Sequence, residues 1–265
     1  MPGTPRAPMN LLPIKLLGVP LLLALVTMAG RRWGQNLAGW LGSFPIVAGP
    51  ILLILAIENG NAFGARAAQM SLAGVAAAMA FYVAYARLAD RLGWGFTLLL
   101  SLAIWVVAVG ALQLLPQALP VAAAVALTAL LVSPRAMGLR PAPSAGFAPH
   151  RLELPARMAF GAGLTVVTSA LGARLGPEAS GYAALFPIVG AVVASFNHAT
   201  HEARAAGAFL AGMTRGMWSV GAFCLTLALV LPHWPIGFAF AVALAGTVAT
   251  HAVMRPRRRR AAPVA

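Results

Sequence analysis

The chain has 265 residues, of which 60% are hydrophobic and only 9% charged, with a mean hydropathy of +0.84. A soluble domain carries about 25% charged residues, so the composition excludes a water-soluble globular protein, and also a disordered, collagen-like or disulfide-rich one. The charge is strongly basic, 19 Lys+Arg against 5 Asp+Glu, but the arginines lie between long apolar runs. No basic face is interleaved with base-stacking aromatics, so the excess reads as membrane topology and not as nucleic-acid binding.

A membrane-crossing helix needs about 20 mostly apolar residues. Nine segments qualify in chain order: Pro13–Ala29, Leu37–Ile57, Ala67–Ala89, Gly95–Leu115, Leu119–Val132, Ala156–Leu175, Ala179–Asn197, Ala205–Leu231 and Ile236–Met254. The first follows a proline-rich end, Met1–Met9, expected to be floppy. No A-x-A-like cleavage site comes after it, so it reads as an uncleaved span. The fifth is the shortest and is bracketed by Pro116, Pro120 and Pro134. Arginines support it. With nine spans and a cytoplasmic C-terminus, the N-terminus is outside, and only Arg6, Lys15, Arg66 and Arg174 face outward, with Arg215 inside a span. Without the fifth span, Arg31, Arg32, Arg87 and Arg91 would face outward, against the usual bias.

The chain contains itself twice. Shifted by 142 residues without a gap, Leu12-Pro13-x-Lys15 falls on Leu154-Pro155-x-Arg157, Gly30-x-Arg32-x-Gly34 on Gly172-x-Arg174-x-Gly176, and Phe44-Pro45-Ile46-Val47 on Phe186-Pro187-Ile188-Val189. Spans one to four match spans six to nine. An offset of five crossings inverts the second copy, and inverted repeats are common in secondary transporters. The predicted fold is therefore an all-α membrane protein of nine transmembrane helices in a 4+1+4 inverted repeat. Residues 1–115 form the first four-helix repeat, 116–152 a connector helix and cytoplasmic loop, 153–254 the second repeat and 255–265 a basic tail.

Phe44-Pro45 and Phe186-Pro187 sit near the middle of spans two and seven. Proline lacks an N–H and clashes with the preceding turn, so both helices should break there, and the matched breaks should face each other. Freed backbone groups at such a point can meet a ligand; equally, small residues and prolines serve close packing. Arg215 is the one charge deep inside a span, and a buried guanidinium suits an anion, although a carbonyl cage or snorkelling to the interface would also hold it. Gly212-x-x-x-Gly216 around it suits tight helix contact. These residues (Phe44, Pro45, Phe186, Pro187 and Arg215) form the candidate substrate path.

Secondary candidates are Glu58, His198 and Glu202. Glu58 ends span two near Arg66, where a surface ion pair is the plain reading. His198, His201 and Glu202 share metal-ligand spacing, but a solvated loop explains them as well, and no metal or other cofactor is expected. No G-x-S-x-G, P-loop, H-E-x-x-H or CxxC motif appears, so no enzyme is expected.

Leu185-Phe186-Pro187-Ile188, followed about thirty residues on by Gly216-Met217-Trp218-Ser219, resembles the GlpM-like small bacterial inner-membrane proteins. The likeness covers spans seven and eight. The first half keeps Phe44-Pro45 but has Gly74-Val75-Ala76-Ala77 in place of the tetrapeptide. The resemblance implies residence in the bacterial inner membrane and a fused tandem of a four-helix unit, with little implied about mechanism. The expected function is a secondary transporter of a small solute, with an anion the form that Arg215 would suit; the alternative is a non-transporting membrane scaffold or regulatory protein. Expected partners are the lipid bilayer, with anionic lipids at Arg255–Arg260, and a small-molecule solute. An oligomer is compatible with the sequence.

Overall fold

The computed structural model describes residues 12–138, 153–172 and 176–255. Met1–Met9, Arg140, Arg151, Arg174 and the tail arginines Arg257–Arg260 lie outside them. The described residues are helical with no strand: α1 Leu12–Trp33, α2 Gln35–Gly42, α3 Ala48–Asn59, α4 Asn61–Leu88, α5 Trp94–Gln113, α6 Leu119–Ala136, α7 Glu153–Gly172, α8 Pro177–Ala184, α9 Ile188–Thr200, α10 Ala203–Val230 and α11 Ile236–Val253. Six helical segments are long and apolar enough to cross a membrane: α4, α5, α6, α8 with α9, α10 and α11.

Composition decides which helices are central. In α4, small residues such as Ala67, Ala68, Gly74, Ala77 and Ala78 are buried, and small side chains let backbones approach closely. The outer helices carry the bulk. Phe96, Leu99, Val106 and Val107 of α5, and Phe238, Leu244, Val248 and Val253 of α11, are large and exposed, as lipid-facing surfaces require. The apolar core joins α4, α9 and α10 around Val75, Phe81, Val192, Phe209 and Phe223, all essentially inaccessible.

Helix starts recur at one spacing. α2 and α8 begin at Gln35 and Pro177, α4 and α10 at Asn61 and Ala203, and α5 and α11 at Trp94 and Ile236. Each pair is 142 residues apart, the offset found in the sequence. α4 and α10 run antiparallel against each other. Asn61 at the start of α4 donates to the Leu231 carbonyl just past the end of α10 (2.9 Å), while Arg87 near the end of α4 lines one cavity with Ala203 at the start of α10.

The packing recurs at the same spacing. α2 packs on α10, and α8 on α4. A Cβ on Gly39 would strike the Phe209 carbonyl and the Met213 amide; a Cβ on Gly181 would strike the Ala67 carbonyl and approach the Ser71 amide. Every residue in the second set is a counterpart, at 142 residues, of one in the first. Gly216 meets Trp40 and Ser43, and its counterpart Gly74 meets Tyr182 and Leu185. Where α7 crosses α1, Gly161 lies against Leu23 and against Val19, its own counterpart.

One pair of positions at this spacing shares its backbone form but not its residue type. Gly60 precedes α4 at φ 90, ψ 169, and its counterpart Glu202 precedes α10 at φ 124, ψ 157. Glu202 is the one non-glycine residue with positive φ among those described. Such conformations are costly for any residue with a Cβ, about 1–3 kcal/mol. Glu202→Gly is therefore expected to stabilise the protein by about 1 kcal/mol after the extra chain entropy of glycine is counted. A melting midpoint in detergent that rises by a few degrees would bear this out; an unchanged or lower midpoint would not.

Candidate functional site: the paired helix breaks

The segments expected as spans two and seven are each broken at the Phe-Pro pair, whereas Pro50, where a second break was expected, lies in the first turn of an unbroken α3. In the first, α2 stops at Gly42 and α3 starts at Ala48; in the second, α8 stops at Ala184 and α9 starts at Ile188. Local hydrogen bonds explain the form of the breaks. The Ile46 amide donates to the Phe44 carbonyl, and the Ile188 amide to the Phe186 carbonyl, both at 2.7 Å. Pro187 sits at φ −77, ψ 51, the geometry of an inverse γ-turn. The next helix then starts on the proline's own carbonyl, which accepts from Gly49 after Pro45 and from Ala191 after Pro187. Each proline thus replaces one helical turn with a tight reversal of hydrogen bonding.

Both breaks line a single cavity of about 60 Å³. Phe44, Pro45, Phe186 and Pro187 are all in its wall, with Tyr82 of α4 and Met217 of α10. The remaining lining is almost wholly apolar, and no charged side chain contributes. At roughly 30 Å³ per water in the liquid, the space holds no more than a few small molecules. The cavity is far below the about 300–1,000 Å³ of an ordinary ligand pocket.

Behind each phenylalanine stands a ring from an outer helix, buried for His251 and half-buried for Trp105. Phe44 meets His251 of α11 edge-on, with ring centres 5.4 Å apart, and Phe186 meets Trp105 of α5 edge-on at 4.9 Å. His251 is also stacked on Trp40 at 4.1 Å, and its Nδ1 lies 2.9 Å from the Ser219 hydroxyl. That hydroxyl donates to the Gly216 carbonyl at 2.6 Å, so the histidine Nδ1–H is the donor to Ser219 and Nε2 is left as an acceptor. Neither His251 Nε2 nor Trp105 Nε1 has a hydrogen-bond partner among the described residues, although both atoms are buried. An unsatisfied buried polar atom costs about 1–3 kcal/mol. Two of them, one behind each break, mark places where the packed state leaves polar capacity unused.

Arg215 is not part of this cavity's lining. It lies on the exposed side of α10 and donates to the Asn36 side chain at the start of α2 (2.8 Å). Its neighbours Gly212 and Gly216 make the close approach their spacing suggests, against Asn36, Trp40 and Ser43 of α2. Glu58 is exposed. The ion pair near it joins Arg66 instead to Glu178 of α8 at 2.9 Å. His198 lies beside Tyr85, whose hydroxyl is 3.4 Å from Nδ1, and Glu202 occupies the strained turn before α10. Among the described residues, no three of His, Cys, Asp and Glu gather as a metal site.

A polar cluster that sequence reasoning missed lies at the start of α7. Arg157 is 2% exposed. It donates to the Asn197 side-chain oxygen at 2.7 Å and to the Thr27 hydroxyl at 3.3 Å, and its guanidinium carbon is 5.6 Å from the centre of the Phe196 ring. Asn197 in turn donates to Gln35 at 2.9 Å. The network ties α1, α2, α7 and α9 together. One signal was present in the sequence: Arg157 falls inside the sixth span as drawn, one residue from its start, yet reads as a member of the basic loop.

No known protein family matches the chain, and no curated protein or solved structure matches it either.

Proposed function

We propose that the chain is a secondary transporter of a small, uncharged, hydrogen-bonding solute, which moves by rocking one half of the bundle against the other around the paired Phe-Pro breaks. In this reading nine crossings lie in the membrane, with the N-terminal end outside and the C-terminal end cytoplasmic. The two halves are inverted copies related by a twofold axis in the membrane plane, and the resemblance to a fused pair of GlpM-like inner-membrane units belongs to the same proposal. Its support is the reciprocal packing. Where residue i of one half touches residue j of the other and their counterparts touch in turn, the contact has the form of an isologous, twofold interface. Gly39 on Phe209 and Gly181 on Ala67 are such a pair. The antiparallel course of α4 and α10 supports the inversion, and the contact of Val19 with its own counterpart Gly161 supports an axis passing there.

The single observation that carries transport is that both breaks open on one cavity. Repeat interfaces with discontinuous helices are where such proteins hold their cargo. An uncharged solute fits better than an anion, because no charged side chain lines the cavity and Arg215 stands outside it; the unused polar atoms of His251 and Trp105 lie behind its phenylalanines, also outside the lining. At about 60 Å³, the space corresponds to a closed state that must widen to admit cargo.

The test is the swelling of proteoliposomes in small neutral polar solutes such as urea and glycerol. Wild-type protein is expected to speed entry of at least one of them over empty liposomes. Ala78→Leu, which places a larger side chain in the cavity wall, is expected to abolish that gain, at a stability change within about 1–3 kcal/mol. A second reading, a non-transporting scaffold, is favoured by the narrow apolar lining. It predicts swelling equal to that of empty liposomes for every solute.

A further inference from the structure

A second cavity lies away from the helix breaks, at the end of the bundle where α4 and α6 finish and α10 begins. It measures about 770 Å³ and is lined by Arg87, Asp90 and Arg91 after and at the end of α4, by Met137 and Gly138 after α6, and by Arg204 and Gly207 of α10. Three arginines and one aspartate line this space. Arg87 is held in place by the Ala136 carbonyl, which accepts from its Nε, while its two terminal nitrogens make no hydrogen bond to the described residues. Arg91 and Arg204 make no hydrogen bond or ion pair to them at all, and Asp90 takes part in no salt bridge there. The three arginines are exposed, so they remain hydrated and can be presented to a ligand without a large desolvation cost.

Arginines gathered around one cavity can recognise a singly or doubly charged oxyanion, because a planar guanidinium offers two parallel N–H groups to a phosphate. The first amides of α10 add positive potential at the same rim. The volume suits a headgroup or small ester and not a bare ion, since ligand sites span about 300–1,000 Å³. Its position at the end of apolar helices places it at the depth of lipid phosphates. We propose that this cavity is a phosphate-binding site, taking the phosphate of an anionic lipid headgroup or of a soluble phosphate at the bundle's arginine-rich end. The site is separate from the tail arginines and does not depend on the transport reading.

The experiment uses the full chain in nanodiscs. One set contains phosphatidylcholine alone, a second contains phosphatidylcholine with phosphatidylglycerol, and a third contains phosphatidylcholine with inorganic phosphate in the buffer. The readouts are the melting midpoint and, by native mass spectrometry, the retained phosphatidylglycerol. Wild-type protein is expected to melt higher in the second or third set than in the first; a rise in the second alone identifies a lipid, and a rise in the third identifies free phosphate as sufficient. Arg91→Gln with Arg204→Gln is expected to melt as wild type in phosphatidylcholine, because neither side chain is engaged, yet to bind the effective ligand at least roughly tenfold more weakly. Arg32→Gln, outside the cavity, should bind as wild type. Undiminished binding by the double variant, or a wild-type midpoint equal in all three sets, would overturn the proposal.

Discussion

Alanine at Gly39 or at Gly181 is expected to be among the most damaging single-methyl additions in the molecule. Both positions place backbone directly on the backbone of another helix, α10 for Gly39 and α4 for Gly181, at the Phe209 and Ala67 carbonyls. A flexible side chain could swing aside, but a carbonyl inside a helix can move only if the helix moves. Overpacking of this sort costs about 1–3 kcal/mol and sometimes more, and here the upper end applies. In detergent, each variant should melt several degrees below wild type, and the pair together should fail to give a single sharp peak in size exclusion. Gly110 supplies the comparison. An added Cβ there meets nothing, so Gly110→Ala should hold or raise the midpoint, by at most about 1 kcal/mol of helix propensity. Equal behaviour of Gly39→Ala and Gly110→Ala would show that the two halves are not pressed together as described.

The second large effect is expected at Asn197. Replacing it with leucine, the residue at its counterpart Leu55, removes the acceptor that holds Arg157 at 2.7 Å and the donor to Gln35. Withdrawing one partner from a buried charge typically costs about 3–5 kcal/mol, whereas replacing both partners by apolar residues can be nearly neutral. Asn197→Leu should therefore be much less stable than wild type, and adding Arg157→Met should recover a large part of the loss. A double-mutant cycle reads this directly, with a coupling of about 1–3 kcal/mol expected between the two sites. Strict additivity would mean that Arg157 and Asn197 do not depend on one another.

The contrast between these two regions shows what the amino-acid order could reveal. The breaks at Phe44-Pro45 and Phe186-Pro187 were legible because a proline removes a donor from its own turn, although Pro20 and Pro134 lie inside the unbroken α1 and α6. Most helix limits fall within a few residues of the expected spans, but α4 starts at Asn61, six residues before the expected Ala67, and α1 runs on to Trp33 past the expected Ala29. The partner of each glycine was not legible. Gly39 and Gly181 stand out in their spans, but nothing local says that they meet Phe209 and Ala67 in the other half. The candidate site divided in the same way. The four Phe-Pro residues come together on one cavity, whereas Arg215 is drawn to Asn36 by a side-chain contact 179 residues away in sequence. Arg157 was hidden by its setting. Surrounded by other arginines at the edge of an apolar run, it looked like one more positive charge at the interface, and only the placement of Thr27, Phe196 and Asn197 distinguishes it. His251 and Trp105 were passed over because an amphipathic ring within an apolar helix is ordinary; their interest lies in the atoms left without partners.

The most direct test of the whole account is the sidedness of one matched pair of positions. Glu58 and Thr200, 142 residues apart, are both exposed at the ends of α3 and α9. Cys224 is the only cysteine of the chain and is buried, so a Cys224→Ala background accepts Glu58→Cys or Thr200→Cys as its sole thiol. In sealed, uniformly oriented vesicles, a membrane-impermeant maleimide is predicted to label one of these variants from outside and the other only after the vesicles are opened. Labelling of both from the same side would contradict the inverted arrangement, and the transport mechanism built on it.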